Sequence, residues 1–433
     1  MASKLHLETA LLPDGWHDNV AVGVDDGIIV SVGDAKSEPT AGLVSGVTIP
    51  GLPNLHSHAF QRAMAGLTER RGGEADSFWT WREAMYGFVE RLTPDDLEAI
   101  AALAYMEMLE AGFTSVAEFH YLHHQPDGRP YDNPAEMSER IVAAAQTVGI
   151  GLTLLPVLYR QSGFLGKPPS PAQRRFLCDR DLYGRLMETR VPGGTIGITP
   201  HSLRAVTLDD LAWAATTWPD TPAHIHISEQ TREVDDCLAA HGARPIDLLM
   251  DTVEVGPRWH LIHATHADAG EIARMARARA VVGLCPITEA NLGDGLFDVP
   301  SFLAQGGRFG IGSDSNVRIS VADELRTLEY GQRLIHRQRN VLGEAERSTG
   351  RRLFDEALLG NAIAIGQRAD FVVLDGPGFR GDSVIDHWLF AADNSAIRSV
   401  YCGGVHVVAN GRHVERDRLR QRYDIVLHRL QSA

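Results

Sequence analysis

From about residue 50 the chain repeats one rhythm: a short apolar run, then a longer segment with apolar residues at helical spacing. The apolar runs predict eight strands: Gly51–His56, Thr114–His120, Gly151–Leu158, Thr195–His201, Ala223–Ser228, Trp259–His263, Ala280–Cys285 and Arg308–Ser313. Between them, Pro94–Ala111, Asn133–Val148, Leu208–Trp218 and Asp268–Arg277 carry the helical spacing. Strands that alternate with helices imply right-handed crossovers and a parallel sheet. Eight such units in roughly 270 residues predict an α/β fold, a (β/α)8 TIM-type barrel with its reactive groups at the C-terminal strand ends.

The ends of the chain have a different pattern. Val20–Val24 and Gly27–Val32 flank Asp25-Asp26-Gly27, a hairpin turn signal. After the eighth unit, Val321–Ile335 and Ser348–Leu359 predict closing helices, and residues 369–375, 399–402 and 405–409 return to strand character. The expected organisation is a small β-sandwich from residues 1–49 and 361–420, a barrel over 50–360 and a C-terminal segment, 421–433. No internal repeat or low-complexity tract interrupts it.

The polar residues at the predicted strand ends carry the chemistry. His56 and His58 are two apart on an extended strand, so their imidazoles aim to the same side. Two neutral imidazoles at one point suit a borderline metal such as Zn²⁺. His201 ends strand four, His226 and Glu229 end strand five, His263 ends strand six and Asp314 follows strand eight. Unpaired histidines and carboxylates crowded into a buried barrel mouth would be costly without a metal and polar partners. His56, His58 and His226 are the nitrogen ligands and Asp314 the oxygen ligand of the expected ion. Zn²⁺ would lower the pKa of bound water to near 7, with Asp314 taking the proton. A regular strand would turn Glu229 away from His226, so Glu229 must sit where the chain leaves the pleat, as a proton shuttle to a leaving group. His263 is placed to polarise the carbon under attack. His224 lies deeper and reads as a packing residue, His266 as a loop residue, and His120, His123 and His124 as rim residues.

Composition narrows the partners. The formal charge of −15 argues against nucleic acid and anionic membrane, since both need a cationic face. The four cysteines form no CxxC and read as reduced, buried thiols. No apolar stretch has the length of a membrane span, and the N-terminus lacks a secretory core. A cytoplasmic enzyme is expected.

These strand-end residues resemble the amidohydrolase superfamily over nearly the full chain. The His226-x-x-Glu229 spacing is similar to its deaminase branch, which removes ammonia from an amidine-like carbon. Asn54–Gly66, Phe78–Glu83, Thr199–Arg204 and Ser313–Asn316 resemble the formimidoylglutamate deiminase family of histidine degradation. That resemblance implies hydroxide attack on the formimidoyl carbon of a small dicarboxylate, N-formimidoyl-L-glutamate, releasing ammonia and N-formyl-L-glutamate. It also implies a homodimer, with Arg82 and Arg204 binding carboxylates, assisted by Gln61, Tyr121 and His201. Arg62 is close to the histidine pair in sequence and shares that candidacy with Arg82. Binuclear relatives carry a carbamylated lysine at the end of strand four, where this chain has His201; Lys4, Lys36 and Lys167 are all remote from strand ends. One Zn²⁺ is therefore expected, although imidazole and carboxylate also suit Fe²⁺ or Mn²⁺. The alternative substrate is a cyclic amidine such as a purine.

Overall fold

A computed structural model describes residues 3–35, 42–69, 77–375 and 378–432. Lys36 lies outside the described residues. The N-terminal segment forms β1 (Ser3–Leu12), β2 (Gly15–Asp25), β3 (Ile28–Asp34) and β4 (Leu43–Pro50). Asp26 and Gly27, at φ +46° and +78°, turn β2 into β3, as a two-residue hairpin loop requires.

The barrel strands follow: β5 (Leu52–Ser57), β6 (Phe113–His120), β7 (Gly151–Leu158), β8 (Thr195–Ile196), β9 (Thr199–Pro200), β10 (Ala223–Ile227), β11 (Trp259–His263), β12 (Val281–Leu284) and β13 (Arg308–Ile311). The expected fourth strand is split into β8 and β9 around Gly197, whose backbone lies so close to Pro222 that a Cβ would stand 2.7 Å from that residue's carbonyl oxygen. All neighbouring barrel strands run parallel, in the blocks β5-β6-β7-β8 and β10-β11-β12-β13. Parallel bridges Ile198↔Ala223 and Ser57↔Asp314 join the blocks at both seams, so the eight units close into a ring.

The second seam passes through the predicted metal site. Asp314 N–H donates to the His56 carbonyl and His58 N–H donates to the Asp314 carbonyl, both at 2.9 Å. Here Gly312 is obligatory, because a Cβ would lie 2.7 Å from the His56 carbonyl oxygen and 2.8 Å from its nitrogen.

Two helices matter for the site. α1 (Phe78–Val89) starts at Ser77, whose hydroxyl accepts from Trp79 N–H while Thr80 Oγ1 accepts from Ser77 N–H. α2 (Pro94–Glu110) starts with the equivalent Thr93/Asp96 pair and Pro94 in its first turn, a cap worth about 1 kcal/mol. It is buried on nearly all sides because it packs against β6, Glu136–Val148 and the C-terminal helix Arg416–Ser432.

After the barrel come β14 (Phe371–Leu374), β15 (Ile397–Cys402), β16 (Val405–Ala409) and β17 (Arg412–His413). They pair with the N-terminal strands in one sheet of order β17-β16-β15-β14-β4-β1-β2-β3. β14 lies antiparallel to β4, which runs through Gly51 straight into β5, tying sheet to barrel. This sheet has a small core of its own, including Leu7, Val20, Val22, Ile29, Phe371 and Val373. No helix among the described residues is long and apolar enough to cross a membrane.

Candidate metal centre and its cleft

Strand ends from opposite sides of the ring bring four side chains to one buried point. His56 Nε2 lies 3.1 Å from His58 Nε2 and 3.0 Å from His226 Nε2. Asp314 Oδ1 is 3.4 Å from His56 Nε2 and 3.3 Å from His58 Nε2. Ligands about 2.1 Å from a tetrahedral ion stand about 3.4 Å apart, so the spacing is that of a coordination polyhedron.

The donor chemistry also calls for a cation. His58 Nδ1 donates to the Phe119 carbonyl at 2.9 Å and His226 Nδ1 to the His201 carbonyl at 3.1 Å. A carbonyl only accepts, so both rings carry their proton on Nδ1 and turn the Nε2 lone pair toward the common point. Burial holds all three imidazoles neutral, with His58 lowered to about 3 and His56 and His226 also lowered. Lone pairs beside a carboxylate repel one another unless a positive ion sits between them. The four residues therefore fit a divalent metal.

The backbone behind these ligands is strained where the strands end. Ser228, His263 and Asp314 have φ of +50°, +71° and +43°, a region that residues with side chains seldom occupy. Ser228 is the point at which the chain leaves β10, and it swings Glu229 back over the cleft. Asn54 and Asn316 brace the opposite seam. Asn54 Oδ1 accepts from Ser313 N–H, and Asn316 Nδ2 donates to Ser57 Oγ and to the carbonyls of His58 and Asp314.

His263 Nε2 stands between two carboxylates, 3.9 Å from Glu229 Oε1 and 3.8 Å from Asp314 Oδ2. Its Nδ1 is 3.2 Å from Glu289 Oε1, which also accepts from Cys285 N–H. Burial opposes charge on His263, but Glu229, Glu289 and Asp314 outweigh it and raise the imidazole to about 10. Burial raises Glu229 to about 7 against the pull of His263 and Arg204. A carboxyl poised near neutrality can both take and give a proton.

The cleft above the cluster is lined by both polar and aromatic side chains. Gln61, Arg82, Tyr121, His201 and Arg204 all reach it. Gln61 Nε2 donates to Tyr121 Oη at 2.9 Å, leaving its carbonyl oxygen buried and unpartnered. The Nε of Arg82 and of Arg204 is likewise buried without a hydrogen-bond partner among the described residues. Arg62 points elsewhere. It is bound to Glu107 at 2.6 Å and donates to the carbonyls of Asn316 and Val317, so only Arg82 of the two candidates lines the cleft.

An amidohydrolase family profile matches residues 47–407. Formimidoylglutamate deiminase of Pseudomonas aeruginosa is 50% identical to this chain, with 99% of each covered. The chain belongs to the amidohydrolase family. 8-Oxoguanine deaminase of Pseudomonas aeruginosa is 29% identical over 90% of this amidohydrolase and 89% of the relative. The crystal structure of an amidohydrolase from Brucella melitensis superposes with a TM-score of 0.94 at 50% identity, covering 99% of this chain and 100% of that one. The fold also matches an adenosine deaminase from Xanthomonas campestris solved with bound zinc, at a TM-score of 0.80 and 20% identity, with 99% and 98% of the two chains covered.

Several residues of this amidohydrolase's site escape a reading of strand ends. Glu289 sits in the helix Pro286–Leu292 after β12, and its partner is 26 residues away. A carboxylate just beyond the seventh strand was its one local signal. Tyr159 flanks His201 with ring centroids 4.9 Å apart, yet nothing in its sequence surroundings distinguishes it from a core tyrosine. His224 stacks on His260 at 4.2 Å, away from the ligands. His123 and His124 bind backbone carbonyls, but His120 and His123 are buried among packed neighbours and are not the rim residues expected of them.

Proposed function

We propose that this amidohydrolase is a hydrolytic deiminase that converts N-formimidoyl-L-glutamate and water to N-formyl-L-glutamate and ammonia. One observation carries the reading: two guanidinium groups whose Nε donors have no partner among the described residues line the same cleft as a cluster of imidazoles and a carboxylate that could hold a metal. A dicarboxylate with an amidine at the other end matches both features, because carboxylate is the natural bidentate partner of arginine. The relative that is 50% identical and bears that activity in its name agrees with it.

His56, His58, His226 and Asp314 would hold one ion, with zinc the favoured metal for three imidazoles and a carboxylate. When bound, the ion supplies an acidified water and Lewis-acid polarisation. Arg82 and Arg204 bind the two carboxylates, and Gln61, Tyr121 and His201 hold the chain that leads to the formimidoyl group. Asp314 accepts a proton from the attacking water. The water oxygen bonds to the formimidoyl carbon while His263, held cationic by its carboxylate neighbours, stabilises charge as that carbon becomes tetrahedral. Glu229 delivers one proton to the terminal nitrogen and Asp314 passes on the one it took from water. The bond from carbon to that nitrogen breaks, ammonia leaves, and the added oxygen gives its remaining proton back to Glu229 as the formyl C=O forms. The reading carries a cytoplasmic location and a homodimer with it. Four buried free thiols suit the first, and size-exclusion chromatography with light scattering tests the second.

The deciding experiment measures ammonia release by the purified protein from N-formimidoyl-L-glutamate, guanine and adenosine, alongside metal analysis. Turnover of the first alone, lost on chelation and restored by Zn²⁺, is expected. Ammonia from either purine compound and none from N-formimidoyl-L-glutamate would sink the reading in favour of a cyclic amidine.

A further inference from the structure

Trp79, in the first turn of α1, is faced by three guanidinium groups from three segments. The Cζ of Arg82, one turn along the same helix, is 4.6 Å from its ring centroid. Arg204, in the loop after β9, is at 5.9 Å, and Arg232, in the helix Thr231–His241, is at 4.8 Å. Arg180 and Arg333 also lie over aromatic rings, but their edges are bound to carboxylates. Arg62, Arg140 and Arg351 bind carboxylates through hydrogen bonds of 2.6 to 2.9 Å. Arg204 has Glu229 and Glu233 nearby, but their oxygens stop 3.7 and 3.8 Å away, beyond hydrogen-bond reach. Among the described residues, the buried Nε of Arg82 and of Arg204 has no hydrogen-bond partner.

An arginine bound edge-on to carboxylate has spent the donors it would offer a ligand. One stacked on an aromatic face is held by its π surface and keeps its N–H edge free. We propose that Trp79 is the positioning residue of the carboxylate clamp: its indole face holds Arg82 and Arg204 in place with their donors available. The clamp is thus preorganised with its Nε donors unspent, and it sets specificity for a doubly anionic substrate. This rests on the deiminase reading for the identity of the ligand, whereas the clamp itself is testable without turnover.

The test compares wild type with Trp79→Leu and Trp79→Phe on N-formimidoyl-L-glutamate and on N-formimidoyl-L-glutamine, which lacks one carboxylate. Glutarate binding by calorimetry is measured on the same proteins. Trp79→Leu is expected to raise KM for the dicarboxylate by about tenfold, with kcat within about threefold of wild type. Its KM effect on the amide analogue is smaller, and glutarate binding weakens in parallel. Trp79→Phe, which keeps an aromatic face, stays within about threefold of wild type on all three. Trp79→Met, whose flexible chain refills the gap, gives the same reading if the leucine protein does not fold. A wild-type KM in the leucine or methionine protein overturns the proposal, as does an equal KM change for both substrates or a phenylalanine protein as impaired as the leucine one. Wild type that binds glutarate but leaves N-formimidoyl-L-glutamate intact removes the deiminase reading, and glutarate affinity then judges Trp79 alone.

Discussion

At the floor of the cleft, His58 and His226 are each anchored from behind by a backbone carbonyl, and Asp314 is locked by paired hydrogen bonds to β5. On the wall, the Cζ atoms of Arg82 and Arg204 lie 4.6 and 5.9 Å from an indole centroid, and their buried Nε donors have no hydrogen-bond partner among the described residues. Both regions are preorganised, but for different guests. An ion needs lone pairs fixed to within a few tenths of an ångström, so the floor is built on strand ends, with His58, His226 and Asp314 braced from behind. An anionic substrate needs N–H edges left free, so the wall holds its cations by their faces. Between the two, Glu229 belongs to both: it lies 3.9 Å from His263 on the floor side and 3.7 Å from Arg204 on the wall side.

That division can be broken by substitution. The largest effect is expected at the junction. Glu229→Gln keeps the shape and removes the titrating proton, so kcat should fall by roughly 10³-fold while metal content stays at wild-type level. Retained turnover would take Glu229 out of the chemistry, and lost metal would make it part of the floor. On the wall, Arg204→Met should raise KM for the dicarboxylate by roughly 10²-fold with a much smaller change in kcat. A fall in kcat with KM unchanged would show instead that Arg204 serves Glu229 more than the substrate. The smallest effect is expected behind the floor. Arg62→Met removes a partly buried ion pair with Glu107, so thermal stability should drop by about 1 kcal/mol with KM within about twofold of wild type. A large KM change there would return Arg62 to the clamp in place of Arg82.

The two regions were also unequally legible in the sequence. His56, His58, His226, His263 and Asp314 lie on or just past strands, where a period of two and the polarity of a parallel barrel dictate both direction and end. Arg62 and Arg82 are equally plausible on paper. Their fates part because Arg62 leaves the short 3-10 turn Ala59–Met64 toward Glu107 on α2, and Arg82 leaves α1 toward the cleft. The expected strand over 195–201 was read as continuous, since nothing local announces how close Pro222 comes to Gly197.

The sequence by itself determined the alternation of strand and helix, the histidines and carboxylate that converge and the side of the barrel on which they gather. These follow from periodicity, which is a property of neighbouring residues. Only the tertiary structure decided which arginine faces the cleft, that Glu289 backs His263 and that one indole holds three cations. Apart from the i,i+3 pairing of Trp79 with Arg82 on α1, each of those contacts joins segments whose relative placement depends on the packing of the whole ring, and no local pattern encodes it.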